Sequence, residues 1–210
     1  MDITQLGWNL MTFNLSGILL FSLIGTWGLI QQHKAISINK SGKSISIDWI
    51  IYFTFFHVNG FIYGVSLDSL ALEWNAGLRL TFHIPILIVL FKYESFNRRH
   101  WTMFAIMLLV NIAMIFLPHK HLFFLTISAG AFIALALQPW KIWKNKDRGV
   151  VSIRLMITYV LSTMFWVLYS WLIDDWALKI NTHIMLSIFT LTVILWYKYP
   201  PQEESITVSL

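Results

Sequence analysis

Apolar residues fall into seven long runs, near Leu10 to Ile30, Trp49 to Val65, Leu70 to Phe91, Trp101 to Leu117, Leu122 to Trp140, Val150 to Ile173 and Trp176 to Tyr197. Each is about 17 to 24 residues long, enough for a helix rising 1.5 Å per residue to cross a hydrocarbon layer of ~30 Å. The pattern predicts seven transmembrane helices in an all-α integral membrane protein. Trp8, Trp49, Trp101, Trp140, Trp143, Trp176 and Trp196 lie at or near run ends, where an amphipathic indole suits the headgroup level.

Composition agrees. Apolar residues make up 57% of the chain and charged residues 12%, against about a quarter charged in a soluble domain; the mean hydropathy is +0.66. There is no cysteine, which excludes disulfides, thiolate metal sites and a cysteine nucleophile. The first run follows Asp2 rather than a basic segment and is too long for a signal-peptide core, so it is expected to remain as a helix.

Charge sets an expected orientation. Lys34, Lys40, Lys43, Lys92, Arg98, Arg99, Lys141, Lys144, Lys146, Arg148 and Lys198 all fall on one side of the seven-span topology. The other side carries Asp2, Asp68, Lys120, Asp174, Asp175 and Lys179. Short loops rich in cations stay in the cytoplasm, which places the N-terminus outside or in a lumen and the C-terminus in the cytoplasm. The net charge of +5 belongs to this asymmetry and to anionic lipid headgroups, not to nucleic acid.

The chain also repeats itself. A shift of 106 residues lays Gln32 on Gln138, Ser46 on Ser152, Ile47 on Ile153, Tyr63 on Tyr169, Asp68 on Asp174, Ala71 on Ala177, Leu72 on Leu178, Asn75 on Asn181, Lys92 on Lys198 and Tyr93 on Tyr199 without a gap. Polar residues recurring in register do not arise from shared apolarity. The organisation read from this duplication is a three-helix repeat over 1–98, a linker helix over 99–118, a second repeat over 119–199 and a cytoplasmic tail over 200–210. One linker span lets both repeats enter the membrane from the same side, so they are parallel. In transporters built this way the substrate site lies near the midplane between the repeats.

The stretch Ala136-Leu137-Gln138-Pro139-Trp140-Lys141-Ile142-Trp143-Lys144-Asn145-Lys146 followed by Val151-Ser152-Ile153, and its weaker partner Gln31-Gln32 followed by Ser44-Ile45-Ser46-Ile47, resemble the motif of the PQ-loop, cystinosin-like and SWEET transporters. Gln31 and Leu137 stand where that motif has proline, with Pro139 displaced by two positions. The resemblance implies a carrier that moves a small polar solute, such as an amino acid, a sugar or a vitamin-like metabolite, by alternating access through a central pocket. It implies no enzymatic activity and no cofactor. The expected partners are the solute and the lipid bilayer, with self-association left open.

Candidate site residues follow from position and from the resemblance. Asn75 and Asn181 lie seven residues beyond Asp68 and Asp174, about 10 Å below the outer boundary, where polar groups turn to the bundle interior. The resemblance implies that this pair lines the pocket; the alternative is a pair of interhelical hydrogen bonds. It also draws pocket residues from the second helix of each repeat, around His57, Asn59 and Tyr63 in the first copy and Thr163, Phe165, Trp166 and Tyr169 in the second. Gly60 and Gly64 mark close helix packing. Gln32, Gln138 and Pro139 are assigned either to helix capping at the interface or to gating.

Arg79 is the least expected residue. It stands in a stripe with Asn75 and His83 at four-residue spacing, roughly 16 Å from the outer end, where a cation costs at least ~2.5 kcal/mol unless it meets a partner or water. Met185 and Phe189 replace Arg79 and His83 in the second copy. A wall that is cationic on one side suits an anionic or zwitterionic solute better than a neutral sugar; the competing reading is an internal ion pair with Glu73 or Asp174.

Two readings from other classes remain. A receptor of this fold would bind a ligand without moving it, with Arg79 holding a peptide carboxylate. An intramembrane enzyme would use His57, His83 and His183 around a metal, though their spacing matches no defined motif. Nicotinamide riboside carriers share the general shape, and a retinal protein would need a lysine in the middle of the seventh span.

Overall fold

The computed structural model describes residues 7–41, 46–148 and 151–200. Lys43, Ser44, Ile45, Val150, Asp2 and the tail beyond Pro200, named above, lie outside the described residues. Seven helices follow in order: α1 (Leu10–Asn39), α2 (Ile47–Ser66), α3 (Leu70–Tyr93), α4 (Arg98–Phe116), α5 (Lys120–Asn145), α6 (Ile153–Leu172) and α7 (Trp176–Lys198). No strand occurs among the described residues. Each apolar run has become one helix of a multi-pass integral membrane protein.

Six of the helices are long and apolar enough to cross a membrane, and α2 is the exception. Its average is diluted by polar residues such as Thr54, His57 and Asn59, all of them buried. A segment enclosed by neighbouring helices can carry polar groups that a lipid-facing one cannot, and α2 packs against both α3 and α4. The remaining helices present bare apolar side chains outward, including Phe13, Leu20, Leu23 and Trp27 on α1, Leu109 and Phe116 on α4, and Ile194 on α7. Such a surface needs lipid as solvent.

The chain forms two compact units, Met1–Ser128 and Ala129–Leu210, divided inside α5. In the first, α1 packs on α3, α3 on α2 and α2 on α4. A cluster of Ile36, Ile50, Ile51, Phe55, Ile86, Leu87, Leu90, Met107 and Ile127 fills one end of it. The close approach of α2 to α3 depends on Gly64, where a Cβ would come 2.8 Å from the backbone nitrogen of Glu73 and 2.9 Å from Leu72 Cβ. Gly60, four residues earlier, has only an ordinary 3.8 Å contact with Ala76 Cβ. In the second unit α6 packs on α7, Trp196 Nε1 donates to the Val151 carbonyl at 2.7 Å, and the Arg148 guanidinium lies 3.8 Å from the Trp196 ring centroid.

The duplication is written into the local structure of each unit. Shifting α2 by 106 residues reproduces the bounds of α6. Ser46 and Ser152 both cap the following helix, accepting from Trp49 N and Leu155 N. At the far end, Asp68 (φ 49°) and Asp174 (φ 52°) both take the left-handed conformation. Ser69 N then bonds Gly64 O at 2.9 Å and Asp68 N bonds Val65 O at 3.3 Å, while Asp175 N bonds Ser170 O at 3.2 Å and Asp174 N bonds Trp171 O at 3.3 Å. This is the Schellman helix end, with aspartate where glycine or asparagine is commoner. The next residue at once caps the next helix: Ser69 Oγ accepts from Leu72 N at 3.3 Å, and Asp175 Oδ1 accepts from Leu178 N at 2.7 Å.

Candidate functional site

Within the first unit, α3 carries Asn75, Arg79 and His83 at helical spacing, and the structure brings them together on one stripe. Arg79 Nε donates to Asn75 Oδ1 at 3.3 Å. From α1, Ser22 Oγ donates to the same oxygen at 2.7 Å, and Thr26, one turn on, turns its hydroxyl back to the Ser22 carbonyl at 2.7 Å. Gly25 lies between them in sequence, and a Cβ there would come 2.8 Å from Arg79 Nη2. The small residue gives the guanidinium its place against α1.

His83, from the next turn of α3, is buried, and its ring centroid is 5.0 Å from that of His57 on α2. Its Nδ1 is buried with no hydrogen-bond partner. Phe53 and Phe56 pack against the His57 ring on its other sides. The result is a band of polar side chains, hydroxyls from α1 and nitrogen-bearing groups from α2 and α3, inside an otherwise apolar bundle. Asn75 and Arg79 are half-buried, His57 and His83 buried.

Asn59 and Tyr63 are not part of this band. Asn59 is fully buried and turns to α4, its Nδ2 lying 2.7 Å from Met114 Sδ and its Oδ1 lacking a partner. Tyr63 stacks on Phe124 at 4.3 Å, with its hydroxyl 2.6 Å from His121 Nδ1. Both belong to packing between α2 and its neighbours α4 and the start of α5. Gln32 and Gln138 do not end their helices. α1 continues past Gln32 to Asn39, and α5 continues through exposed Gln138 and buried Pro139 to Asn145. The motif region is helical on both sides of its glutamine, so neither amide caps a helix end.

In the second unit Asn181 is buried in the second turn of α7, matching the level of Asn75 in its own repeat. On α6, Tyr169 is fully buried with Trp166 edge-on to it at 5.8 Å, Thr163 is buried and Phe165 is half-buried. Met185 and Phe189 occupy the positions of Arg79 and His83, and Phe189 packs against Tyr159 at 5.1 Å. Asp174 pairs with Lys179 inside this unit, which holds its carboxyl below the usual carboxylate range. His183 is exposed and bonded to the Lys179 carbonyl at 2.7 Å. Among the described residues no group of three or more His, Cys, Asp or Glu side chains is placed to hold a metal.

Sequence reasoning missed Ser22 and Gly25. Their signal was available, since Ser22 and Thr26 are four apart on an apolar helix with Gly25 between them. The duplication lays Ser22 on Ser128 but Gly25 on Ala131 and Thr26 on Phe132, so it marks the serine alone and says nothing of its place beside Asn75.

Residues 121–204 match the family profile MtN3/slv, described as a sugar efflux transporter for intercellular exchange. The fold matches that of a eukaryotic SWEET transporter solved at 3.7 Å, with a TM-score of 0.70 and 14% sequence identity over 90% of this chain and 96% of that one. No protein of curated function matches the chain significantly. The likeness expected from the motif region is thus found twice, as a SWEET and PQ-loop signature in the second half of the sequence and as a SWEET fold over most of the chain.

Proposed function

We propose that the protein is a membrane carrier for a small polar solute, working by alternating access, with Asn75 and Asn181 each contributing a side-chain amide to solute binding. The observation that supports it most is the band of Ser22, Asn75, Arg79, His83 and His57, polar groups at membrane depth that packing alone does not require. The shared fold and the transporter description of the matched family point the same way. Sugars are therefore natural solutes to assay, beside amino acids and vitamin-like metabolites.

Reconstitution of the purified protein into vesicles, with flux of labelled solutes from these classes, tests the reading. Asn75→Ala and Asn181→Ala should each reduce flux at least tenfold while the protein remains folded and inserted. Unchanged flux in both variants removes the amide pair from the mechanism, and saturable binding with no flux turns the protein into a receptor.

A further inference from the structure

We infer that the first unit carries a binding site for an anionic phospholipid on the exposed face of α4, with Arg98 at the headgroup phosphate and an acyl chain along Met103, Ile106 and Met107. The site is independent of which solute the protein carries. A groove of about 510 Å³ opens on this face, lined by Arg98, Arg99, Thr102, Met103, Ile106 and Met107. Its volume lies within the range of small-molecule sites, about 300 to 1,000 Å³. The lining residues recur at the four-residue spacing of one helix face, which orders them along the axis. The arginines stand in the first turn, and the apolar side chains follow one and two turns further in. From Arg98 to Met107 the helix rises roughly 13 Å, close to one leaflet's half of a ~30 Å hydrocarbon layer. Ile106 is 54% exposed and Met107 buried, so the groove has a packed floor and opens toward lipid.

Charge decides which lipid. A groove that faces hydrocarbon takes an acyl chain from any lipid, and the cations at its mouth select the headgroup. Arg99 Nη2 lies 2.9 Å from Asp48 Oδ2 on α2, a contact that braces the arginine while its side chain stays 79% exposed. Arg98 is exposed and has no carboxylate partner among the described residues, and the first turn of α4 holds no acidic residue. Two arginines against one aspartate leave the mouth of the groove positive. Cations in a first turn oppose the helix dipole, so helix stability does not account for their place. A phosphodiester does, because it is anionic, accepts hydrogen bonds from guanidinium donors and is joined to the chains that fill the apolar length below it. Free phosphate meets the arginines but leaves that length empty. Met103 and Met107 are unbranched and adaptable, suited to following a chain, and exposed Trp101 in the same turn suits the headgroup level. The expectation from loop charge puts this end in the cytoplasm, beside the leaflet that carries anionic lipid.

Native mass spectrometry of the purified full-length protein, titrated with dioleoyl phosphatidylglycerol and separately with dioleoyl phosphatidylcholine, tests the site. The anionic lipid should bind about fivefold more tightly, which is what one cation near an anionic headgroup is worth. Arg98→Ala should remove most of that preference, and Arg98→Lys should keep part of it. Thr102→Phe fills the groove, leaves both arginines in place and should weaken phosphatidylglycerol binding by a similar factor. Arg98 and Thr102 are exposed, so neither change endangers folding. Lys144→Ala removes an exposed cation outside the groove and should leave the preference as it was. Equal binding of the two lipids, no binding of either, a preference that survives Arg98→Ala or Thr102→Phe, or an equal loss in Lys144→Ala overturns the assignment. Two further results would also overturn it by naming another occupant. Inorganic phosphate that raises the melting temperature as much as phosphatidylglycerol gives the arginines to a free anion. A mass of two chains that falls to one in Thr102→Phe gives the face to a second copy of this chain. Flux enters none of these readings, so failure of the transport proposal leaves the lipid site to stand or fall by itself.

Discussion

Asp68 and Asp174 recur in register, a match that invites a shared functional role. Their backbones give another reason for the recurrence. Each is the left-handed residue of a Schellman helix end, a place that tolerates glycine, asparagine and aspartate but strains a β-branched residue. Asp68→Val should be less stable than Asp68→Gly by about 1 to 2 kcal/mol, with flux kept in the glycine variant; denaturation of the purified variants distinguishes the two. A loss of flux in a fully stable Asp68→Gly protein would restore the functional reading. Asn59 gives the converse test. Its amide is buried with one sulfur contact and an orphaned oxygen, and replacing such a group by an apolar one of similar size is close to neutral. Asn59→Leu should leave both melting temperature and flux near wild type; a large loss of flux would show that Asn59 does meet the solute.

At the scale of helices, the small residues differ in what they permit. Gly64 sits where any side chain would strike the α3 backbone, so Gly64→Ala should destabilise the protein by about 1 to 3 kcal/mol, the usual cost of overpacking. Gly60→Ala, with an ordinary contact beyond it, should be tolerated, and thermal melts of both variants check the contrast. Sequence alone treats the two glycines as one motif, because spacing records that helices meet but not how closely. The helices themselves were legible, since apolar runs bounded by polar or indole residues leave few alternatives in lipid. Their ends were less so. α1 and α5 run on through Gln32 and through Gln138-Pro139 to Asn39 and Asn145, because charged and polar residues continue a helix as readily as apolar ones once it emerges from the hydrocarbon.

For the whole molecule, the SWEET architecture could be read from the 106-residue repeat and the motif region. The band on the first unit could be read only in part. The stripe Asn75, Arg79, His83 followed from helical spacing, but nothing in the sequence brings Ser22 and Gly25 of α1 to that stripe, and Asn59 and Tyr63 share a helix with His57 but pack toward α4 and α5. Orientation in the membrane is a separate expectation, from loop charge, and the absence of native cysteine makes it simple to measure. Single cysteines at Ser95 or Asn145 should be protected from an impermeant maleimide applied to intact cells, and those at His119 or Asp174 should react. The opposite labelling pattern would invert the topology.

The corner between α2 and α3 has a mechanical consequence. Since Ser69 closes one helix and starts the next with no residue to spare, that joint has almost no slack, and the two helices, locked further at Gly64, move as a single lever. α1 is tied to this lever through a longer connection, from Lys40 to Ser46. The seam between α1 and α3, by contrast, has no shared turn and is closed by side-chain contacts. Ser22 with Asn75, and Gly25 with Arg79, are the contacts that bridge that seam. A solute group that engaged Asn75, as proposed above, would pull on that seam directly and so be felt by two helices at once.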